Sequence, residues 1–485
     1  MSRYAIAIGV LLAAKAGADP CTQLQSMQRA DTQIVSTAPA RSGAGVPYCR
    51  VAGKIQENIG FEYWLPAADR WNGRMLGAGV GGSGGQYNLV DLARGVDQGF
   101  ASITTDSGHK QSETLWMMDR KKAQDYAHRA EHLVALAGKD IAAAYYGAAV
   151  KYSYFIGCSG GGRKALVELQ RYPGDYDGIV AGAPGSNLPV SSARHAWAQR
   201  FEQQHSQTPL TDADWNLLAS AALAKCDRLD GVEDGVLENP RECRFDPASL
   251  ACGPAHSQQC LSKSKLELIE QIRAPLRDEN GKRLDAGLLP GVRTRPGGST
   301  ALTREMIGQL VYGDPRWEPD QFVMARDTPA IGRVLPELLA DRTDLSEFAR
   351  RGGKLIVYQG WLDPSVRAQQ TIEYYEAVEK AGGGRRQTQS FARLFMVPGM
   401  GHCRGGDGPD QFGGSTSRPV SNDASHDLLN AVVAWVEQGR APESVVASKL
   451  LDRQVVRSRP LCPYPKQARY SGTGSTDDAA NFACR

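Results

Sequence analysis

Tyr152-Ser153-Tyr154-Phe155-Ile156-Gly157-Cys158-Ser159-Gly160-Gly161-Gly162-Arg163 carries a strand, a turn and the approach to a helix in succession. Tyr152 to Ile156 is aromatic and β-branched and reads as a buried strand. Arg163 to Tyr172 reads as a helix that Pro173 stops. Between them, Gly157-Cys158-Ser159-Gly160-Gly161 fits G-x-S-x-G, the nucleophile elbow, which needs that strand before it and that helix after it. The requirement is steric. The serine sits on a sharp, strained turn, so the positions two residues away on either side must lack bulky side chains. The turn exposes Oγ and puts the N–H of Gly160 at the start of a helix, where the positive end of the dipole favours an oxyanion.

Around this motif, strand-like and helix-like segments alternate. Arg74 to Gly77 is a short apolar run that enters a glycine-rich loop, Gly77 to Gly85. Gly99 to Thr104 reads as a strand, Ala130 to Tyr145 as an Ala-rich helix, and Gly178 to Ala181 as another strand. The rhythm breaks at about Ser186 and resumes with strands at Lys354 to Val357 and Arg393 to Val397, then an amphipathic helix at His426 to Glu437. Such alternation predicts an α/β fold: a mostly parallel sheet with helices on both faces. The intervening stretch holds four cysteines, an acidic loop and Pro/Gly-rich text such as Pro296-Gly297-Gly298. One α/β core, residues 19–185 and 346–485, interrupted by a large insertion at 186–345, accounts for the pattern. The polar tail after about Ser471 is expected to be loose except where Cys484 pins it.

The 485 residues carry 56 Lys and Arg against 53 Asp and Glu, a net charge of +3. That balance offers nothing that points to nucleic acid or an anionic membrane as a partner. Arg3, the short apolar run Tyr4 to Ala14 and the site Ala16-Gly17-Ala18 read as a signal peptide over residues 1–18, which predicts a secreted or periplasmic protein. No later apolar run is long enough to span a bilayer. All ten cysteines follow Ala18, and an even number in an exported chain predicts disulfides. Four pairs are close in sequence: Cys21 with Cys49, Cys226 with Cys243, Cys252 with Cys260, and Cys462 with Cys484.

The partners of Ser159 should follow in the order acid, then histidine. Asp363 in Tyr358-Gln359-Gly360-Trp361-Leu362-Asp363-Pro364 and His402 in Pro398-Gly399-Met400-Gly401-His402-Cys403 both follow strands. Ligand sites of open α/β sheets form at that edge. An Asp before Pro alone reads as a turn, and a glycine-flanked His as a surface residue. Their order and their positions after strands argue for a Ser159, Asp363, His402 triad, with the imidazole as base and the carboxylate as its orienter. The second oxyanion donor should come from the loop Gly77 to Gly85, with Gly82 favoured over Gly81. The remaining cysteines flank the triad, since Cys158 precedes Ser159 and Cys403 follows His402. If serine and histidine touch, these neighbours can meet the roughly 7 Å Cα limit of a disulfide.

Cys158-Ser159, Asp363 and His402-Cys403, with Gly157 to Arg163, Tyr172-Pro173, Asp177 to Pro184 and Trp71-Asn72-Gly73-Arg74, resemble the tannase and feruloyl esterase family. The resemblance covers nearly the whole mature chain. It implies an α/β-hydrolase core, a lid inserted between nucleophile and acid, aromatic ester substrates and a structural calcium ion in the lid. The matching loop here is Cys226-Asp227-Arg228-Leu229-Asp230-Gly231-Val232-Glu233-Asp234-Gly235-Val236. Its carboxylates Asp227, Asp230 and Asp234 and the carbonyls of Val232 and Val236 are hard oxygen donors of the kind Ca²⁺ takes. Read without the resemblance, the same loop is also compatible with a solvated acidic turn. No organic cofactor is expected. His128 and His132 lack the order of a zinc protease motif and read as packed or surface histidines.

These residues predict a serine esterase acting through an acyl-enzyme on hydroxycinnamate esters such as ferulate, or on gallate esters. Within the same chemistry, the alternatives are a monoester of an aromatic diacid as substrate, or acyl transfer to an alcohol other than water. A hydrolase fold used only for binding is the alternative of a different class. Oligomeric state is not readable from the sequence.

Overall fold

The computed structural model describes residues 19–27, 29–253, 259–293 and 300–485. Residues 1–18, and with them the signal-peptide reading, lie outside it, as does Pro296-Gly297-Gly298. One sheet of nine strands organises the chain: β1 Thr32–Arg41, β2 Pro47–Ile55, β3 Ile59–Pro66, β4 Arg74–Ala78, β5 Ala101–Thr105, β6 Tyr152–Cys158, β7 Gly178–Gly182, β8 Lys354–Gly360 and β9 Ala392–Val397. Their spatial order is β1-β2-β3-β5-β4-β6-β7-β8-β9. The pairs from β1 to β5 are antiparallel, and those from β5 through β4 to β9 are parallel.

The parallel strands are buried on both faces, which is why they read as continuous apolar text. Their period-two alternation divides them between two cores. Met75, Phe155, Ile179, Leu355 and Leu394 face one core. Leu76, Tyr154, Val180, Ile356 and Phe395 face the other. The helices follow the same division. The chain contains α1 Leu89–Asp97, α2 Ala130–Tyr146, α3 Gly160–Arg171, α4 Leu188–Gln204, α5 Asp212–Cys226, α6 Lys263–Arg273, α7 Met324–Val334, α8 Ala368–Ala381 and α9 Leu428–Gln438. Apolar residues of α2, α3 and α8 join the first core, and those of α9 the second. The expected parallel sheet with helices on both faces is therefore present.

Between β7 and β8 the chain leaves the sheet and builds α4 to α7. The neck of this excursion is closed by a bridge between Asn187 and Leu339 and by Ala340 N–H donating to Ser186 O at 2.8 Å. Its apolar residues Leu188, Met306, Ile307 and Ile331 pack with Trp116, Met117 and Tyr126 of the core.

Two parts of the chain differ from the sequence reading. The antiparallel strands β1 to β3 precede Asn72, where the alternating pattern starts, and are not legible in it. The C-terminal tail is not loose: Phe482–Cys484 pairs with Ala468–Tyr470, and Cys484 is bonded to Cys462.

Buried polar bonds tie the loop after β4 to the loop after β9. Asn88 caps α1 and donates to Gly79 O at 2.9 Å and to Asp91 at 2.7 Å. Asp91 accepts from Ser415 Oγ at 2.7 Å and from Thr416 N at 3.0 Å. One turn on, Arg94 pairs with Asp427, the N-cap of α9, with both side chains almost wholly buried. Arg94→Met strands the Asp427 carboxylate without its cation. It is expected to cost about 3–5 kcal/mol, seen as a lower urea midpoint in equilibrium unfolding.

Candidate active site

Ser159 links β6 to α3 at φ 61° and ψ −121°. The glycines of the turn leave no room for side chains. A Cβ on Gly157 would lie 2.6 Å from Gly161 O, and one on Gly160 would lie 2.6 Å from Gly82 O. Gly160 is the first residue of α3, so its N–H has no acceptor within the helix. Helix α3 starts three residues earlier than the sequence suggests, because Gly160 to Gly162 are poor helix formers kept there by close packing.

Asp363 lies on the loop after β8 and is fully buried. Its Oδ1 accepts from the amides of Ser365 and Val366 at 2.8 and 2.9 Å. Its Oδ2 accepts from His402 Nδ1 at 2.7 Å and from Gln359 Nε2 at 3.1 Å. Gln359, also buried, receives the Thr371 hydroxyl at 2.8 Å. Sequence reasoning missed Gln359, because only the fold shows that its amide donates to the acid.

With Nδ1 of His402 donating to Asp363, Nε2 is left as the basic nitrogen. Burial acts most strongly on this ring and disfavours the cation. The charge of Asp363 and the hydrogen bond to it work the other way and prevail, holding the pKa above the ordinary 6.5. Ser159 and His402 line one cavity of about 500 Å³ with Gly79 to Gly82, Tyr87, Leu89, Val90, Cys158, Cys403 and Arg404. A disulfide joins Cys158 to Cys403 across 245 positions of sequence, with Cα atoms 6.0 Å apart. The other bonded pairs are Cys21–Cys49, Cys226–Cys243, Cys252–Cys260 and Cys462–Cys484.

The glycine loop packs directly on the elbow. A Cβ on Gly81 would touch Cys158 O at 3.4 Å and Ser159 Cβ at 3.8 Å. Gly81 O accepts from Gly84 N at 3.3 Å. A trans peptide is planar, so this turns the Gly82 N–H the opposite way. The Tyr126 hydroxyl donates to Gly82 O at 3.1 Å. Tyr126 is in turn held by Arg163 of α3, whose guanidinium donates to the carbonyls of Tyr126 and Ala127 at 3.0 and 2.9 Å.

A family profile described as tannase and feruloyl esterase matches residues 43–309 and 316–485. The chain belongs to the tannase and feruloyl esterase family. It is a carboxylic ester hydrolase with the α/β-hydrolase fold. It is 35% identical to an uncharacterized esterase of Xanthomonas campestris pv. campestris, over 99% of this chain and 94% of that protein. It is 32% identical to a mono(2-hydroxyethyl) terephthalate hydrolase of Piscinibacter sakaiensis, over 92% of this chain and 86% of the relative. Among solved structures, feruloyl esterase B of Aspergillus oryzae superposes with a TM-score of 0.89 at 27% identity, covering 96% of this chain and all of that one.

In the acidic loop, Asp227 Oδ2 accepts from Gly235 N at 2.9 Å, while its Oδ1 is buried without a partner. The Asp230 carboxyl is pushed up to about 6, chiefly by burial and also by the charges of Asp234 and Asp227; Val232 N–H, at 3.0 Å, holds it down. Asp234 pairs with Arg459, and its Oδ1 accepts from Val236 N at 3.1 Å. Among the described residues, no three His, Cys, Asp or Glu side chains stand together so as to hold a metal by themselves. His128 and His132 are packed instead, with Nδ1 of His128 2.5 Å from Tyr172 Oη and that of His132 2.6 Å from Asp175.

A base must be neutral to accept a proton, so activity should rise with pH through the pKa of His402. The acidic limb of kcat/KM is expected above pH 6.5. In Asp363→Asn it should move down, with kcat reduced about 10⁴-fold through the wrong tautomer. A wild-type limb at or below 6.5 contradicts the upward shift, and an unmoved limb in Asp363→Asn contradicts its origin in Asp363.

Proposed function

We propose that Ser159 attacks the carbonyl of an aromatic carboxylic ester to form an acyl-enzyme that water then hydrolyses. His402 takes the serine proton at Nε2 and returns it to the leaving alcohol. Asp363 keeps the ring in the required tautomer and stabilises its cation. The N–H groups of Gly160 and Gly82, with Gly81 supporting the loop, receive the oxyanion. The observation that carries this reading is the short Asp363–His402 bond beside an elbow serine in one shared cavity.

The cavity suits a single aromatic ring, with Tyr87, Leu89 and Val90 supplying apolar wall. The substrates proposed are hydroxycinnamate esters such as ferulate, or gallate esters, in keeping with the feruloyl esterase relative. A second reading, a monoester of an aromatic diacid, is favoured by Arg404, a cation on the cavity wall. The protein is proposed to act outside the cytoplasm, because five disulfides are stable where conditions are oxidising. Among the described residues no helix is long and apolar enough to cross a membrane.

Ca²⁺ is proposed as a structural ion of the acidic loop in the lid, residues 186–345. Asp227, Asp230 and Asp234, with the carbonyls of Val232 and Val236, would hold it. The donor types support it: the loop's oxygens are hard and Asp227 Oδ1 is buried without a partner, while the three carboxylates would have to draw together around the ion, since they do not stand together as a metal-holding group.

A fluorophosphonate should label the wild type at Ser159, and Ser159→Ala should hydrolyse neither ferulate nor gallate esters. Retained hydrolysis or an unlabelled wild type rejects the esterase reading. On terephthalate monoesters, Arg404→Gln should lower kcat/KM up to about fivefold if the second reading holds, and leave neutral esters unchanged if the first does. Removing calcium with a chelator should lower the unfolding midpoint, and restoring Ca²⁺ to 100 times its Kd should return about 2.7 kcal/mol. Asp230→Asn should lose that response.

A further inference from the structure

The loop that carries the second oxyanion donor is held from two sides. On the core side, Tyr126 takes Gly82 O. On the other side, the Ser83 hydroxyl donates to Glu305 Oε2, a residue from the excursion between β7 and β8. The second oxygen, Oε1, accepts from Trp116 Nε1 at 3.0 Å. One carboxylate therefore bridges the glycine loop to a fixed point of the core.

Trp116 is a firm anchor. It is buried, and its ring stacks on His109 with centroids 3.7 Å apart and planes at 4°. The turn that delivers Glu305 is anchored as well. It is a wide helical turn, Arg304–Gln309, in which Met306 and Ile307 are buried against the same apolar cluster as Trp116. Gln309 Nε2 adds a bond to Thr114 O at 2.8 Å. Tyr126 is also delivered by such a turn, Asp125–Arg129. Turns of this kind insert an extra residue into a helix and recur at functional sites.

We propose that Glu305 is a positioning residue for catalysis: its carboxylate fixes Ser83, and through it the Gly82 amide, at the oxyanion position. The inference rests on the esterase reading above. The loop is otherwise rich in glycine, whose backbone freedom a hydrogen bond must restrain if the donor is to be pre-organised. A donor displaced by about 1 Å costs up to about 100-fold in rate. The effect belongs to the transition state, so it should appear in kcat rather than in KM.

The test compares wild type, Glu305→Ala, Glu305→Gln and Ser83→Ala on one ferulate ester, with thermal unfolding alongside. Glu305→Ala should lower kcat about 10- to 100-fold, with KM within about threefold and the unfolding midpoint little changed. Glu305→Gln should retain most of kcat, because its amide oxygen still accepts from Trp116 and its N–H can donate to Ser83 Oγ. Ser83→Ala should lower kcat, and adding it to Glu305→Ala should cost no more than the worse single change. An unchanged kcat in Glu305→Ala overturns the proposal, as does a Glu305→Gln as impaired as the alanine variant. If Glu305→Ala does not fold, Ser83→Ala decides: reduced kcat supports the coupling and unchanged kcat overturns it. Failure of the esterase reading itself is a separate outcome, a wild type that hydrolyses no ester.

Discussion

Ser159 has a positive φ that a non-glycine residue adopts only under compulsion, at a cost of about 1–3 kcal/mol. Everything near it follows from supporting that turn. Gly157 avoids a collision with Gly161 of the same turn, and Gly160 and Gly161 avoid collisions with the glycine loop, Gly79 to Gly82. The Ser159 amide is tied to Gly182 O at 3.0 Å, and its carbonyl receives Arg163 N at 2.9 Å. The Cys158–Cys403 bond then fastens the turn to the histidine loop. Cys403 itself has φ 65°, so both ends of this cross-link sit beside or on strained backbone. A covalent tie between them keeps two costly conformations in register, which hydrogen bonds alone would do less firmly.

The elbow serine and the bonded Asp363–His402 pair were legible as candidates because each follows a strand whose apolar text is unmistakable. Local chemistry marks such positions, and the order of the three completes the pattern. The cystines were legible from spacing and from adjacency to the triad. The side chains that hold the site together were not. Gln359, Tyr126 and Glu305 reach their targets only after the sheet has formed, and nothing near them in sequence announces a partner. The strands β1 to β3 escaped notice for a different reason. Strand β3 is buried on nearly every residue and shows no alternation, while β1 is largely exposed and contains Pro39. Neither carries the pattern that marks a half-buried strand. The C-terminal strand is three residues long and is fixed by a disulfide and by pairing with Ala468–Tyr470.

The acidic loop shows how a local cluster depends on distant chain. Cys226 and Cys243 close it covalently. The C-terminal hairpin, Val445–Leu451 with Gln454–Leu461, supplies Arg457 and Arg459, which take the carbonyl and carboxylate of Asp234. Arg459 also lies 3.7 Å from the Phe482 ring. The terminal strands thus help neutralise a loop more than two hundred residues away. A cation proposed there would share Asp234 with Arg459, leaving Asp227 and Asp230 as the carboxylates with capacity to spare. Asp227 Oδ1 is the buried oxygen left without a partner, and Asp230 is held up chiefly by its burial.

Two charged side chains stand on opposite loops of the site, Arg404 on the cavity wall and Glu305 against the glycine loop. Arg404 stands on the histidine side and is exposed, with one bond to Thr416 O at 3.3 Å. Glu305 stands on the glycine-loop side, and both its oxygens are occupied by donors. A carboxylate whose lone pairs already face Ser83 and Trp116 has little left to offer a substrate, so its effect passes through the backbone it holds. A guanidinium with a single weak bond at the rim keeps most of its donors for whatever enters. On the proposed reading, charge selection would fall to the Arg404 side and positioning of the glycine loop to the Glu305 side.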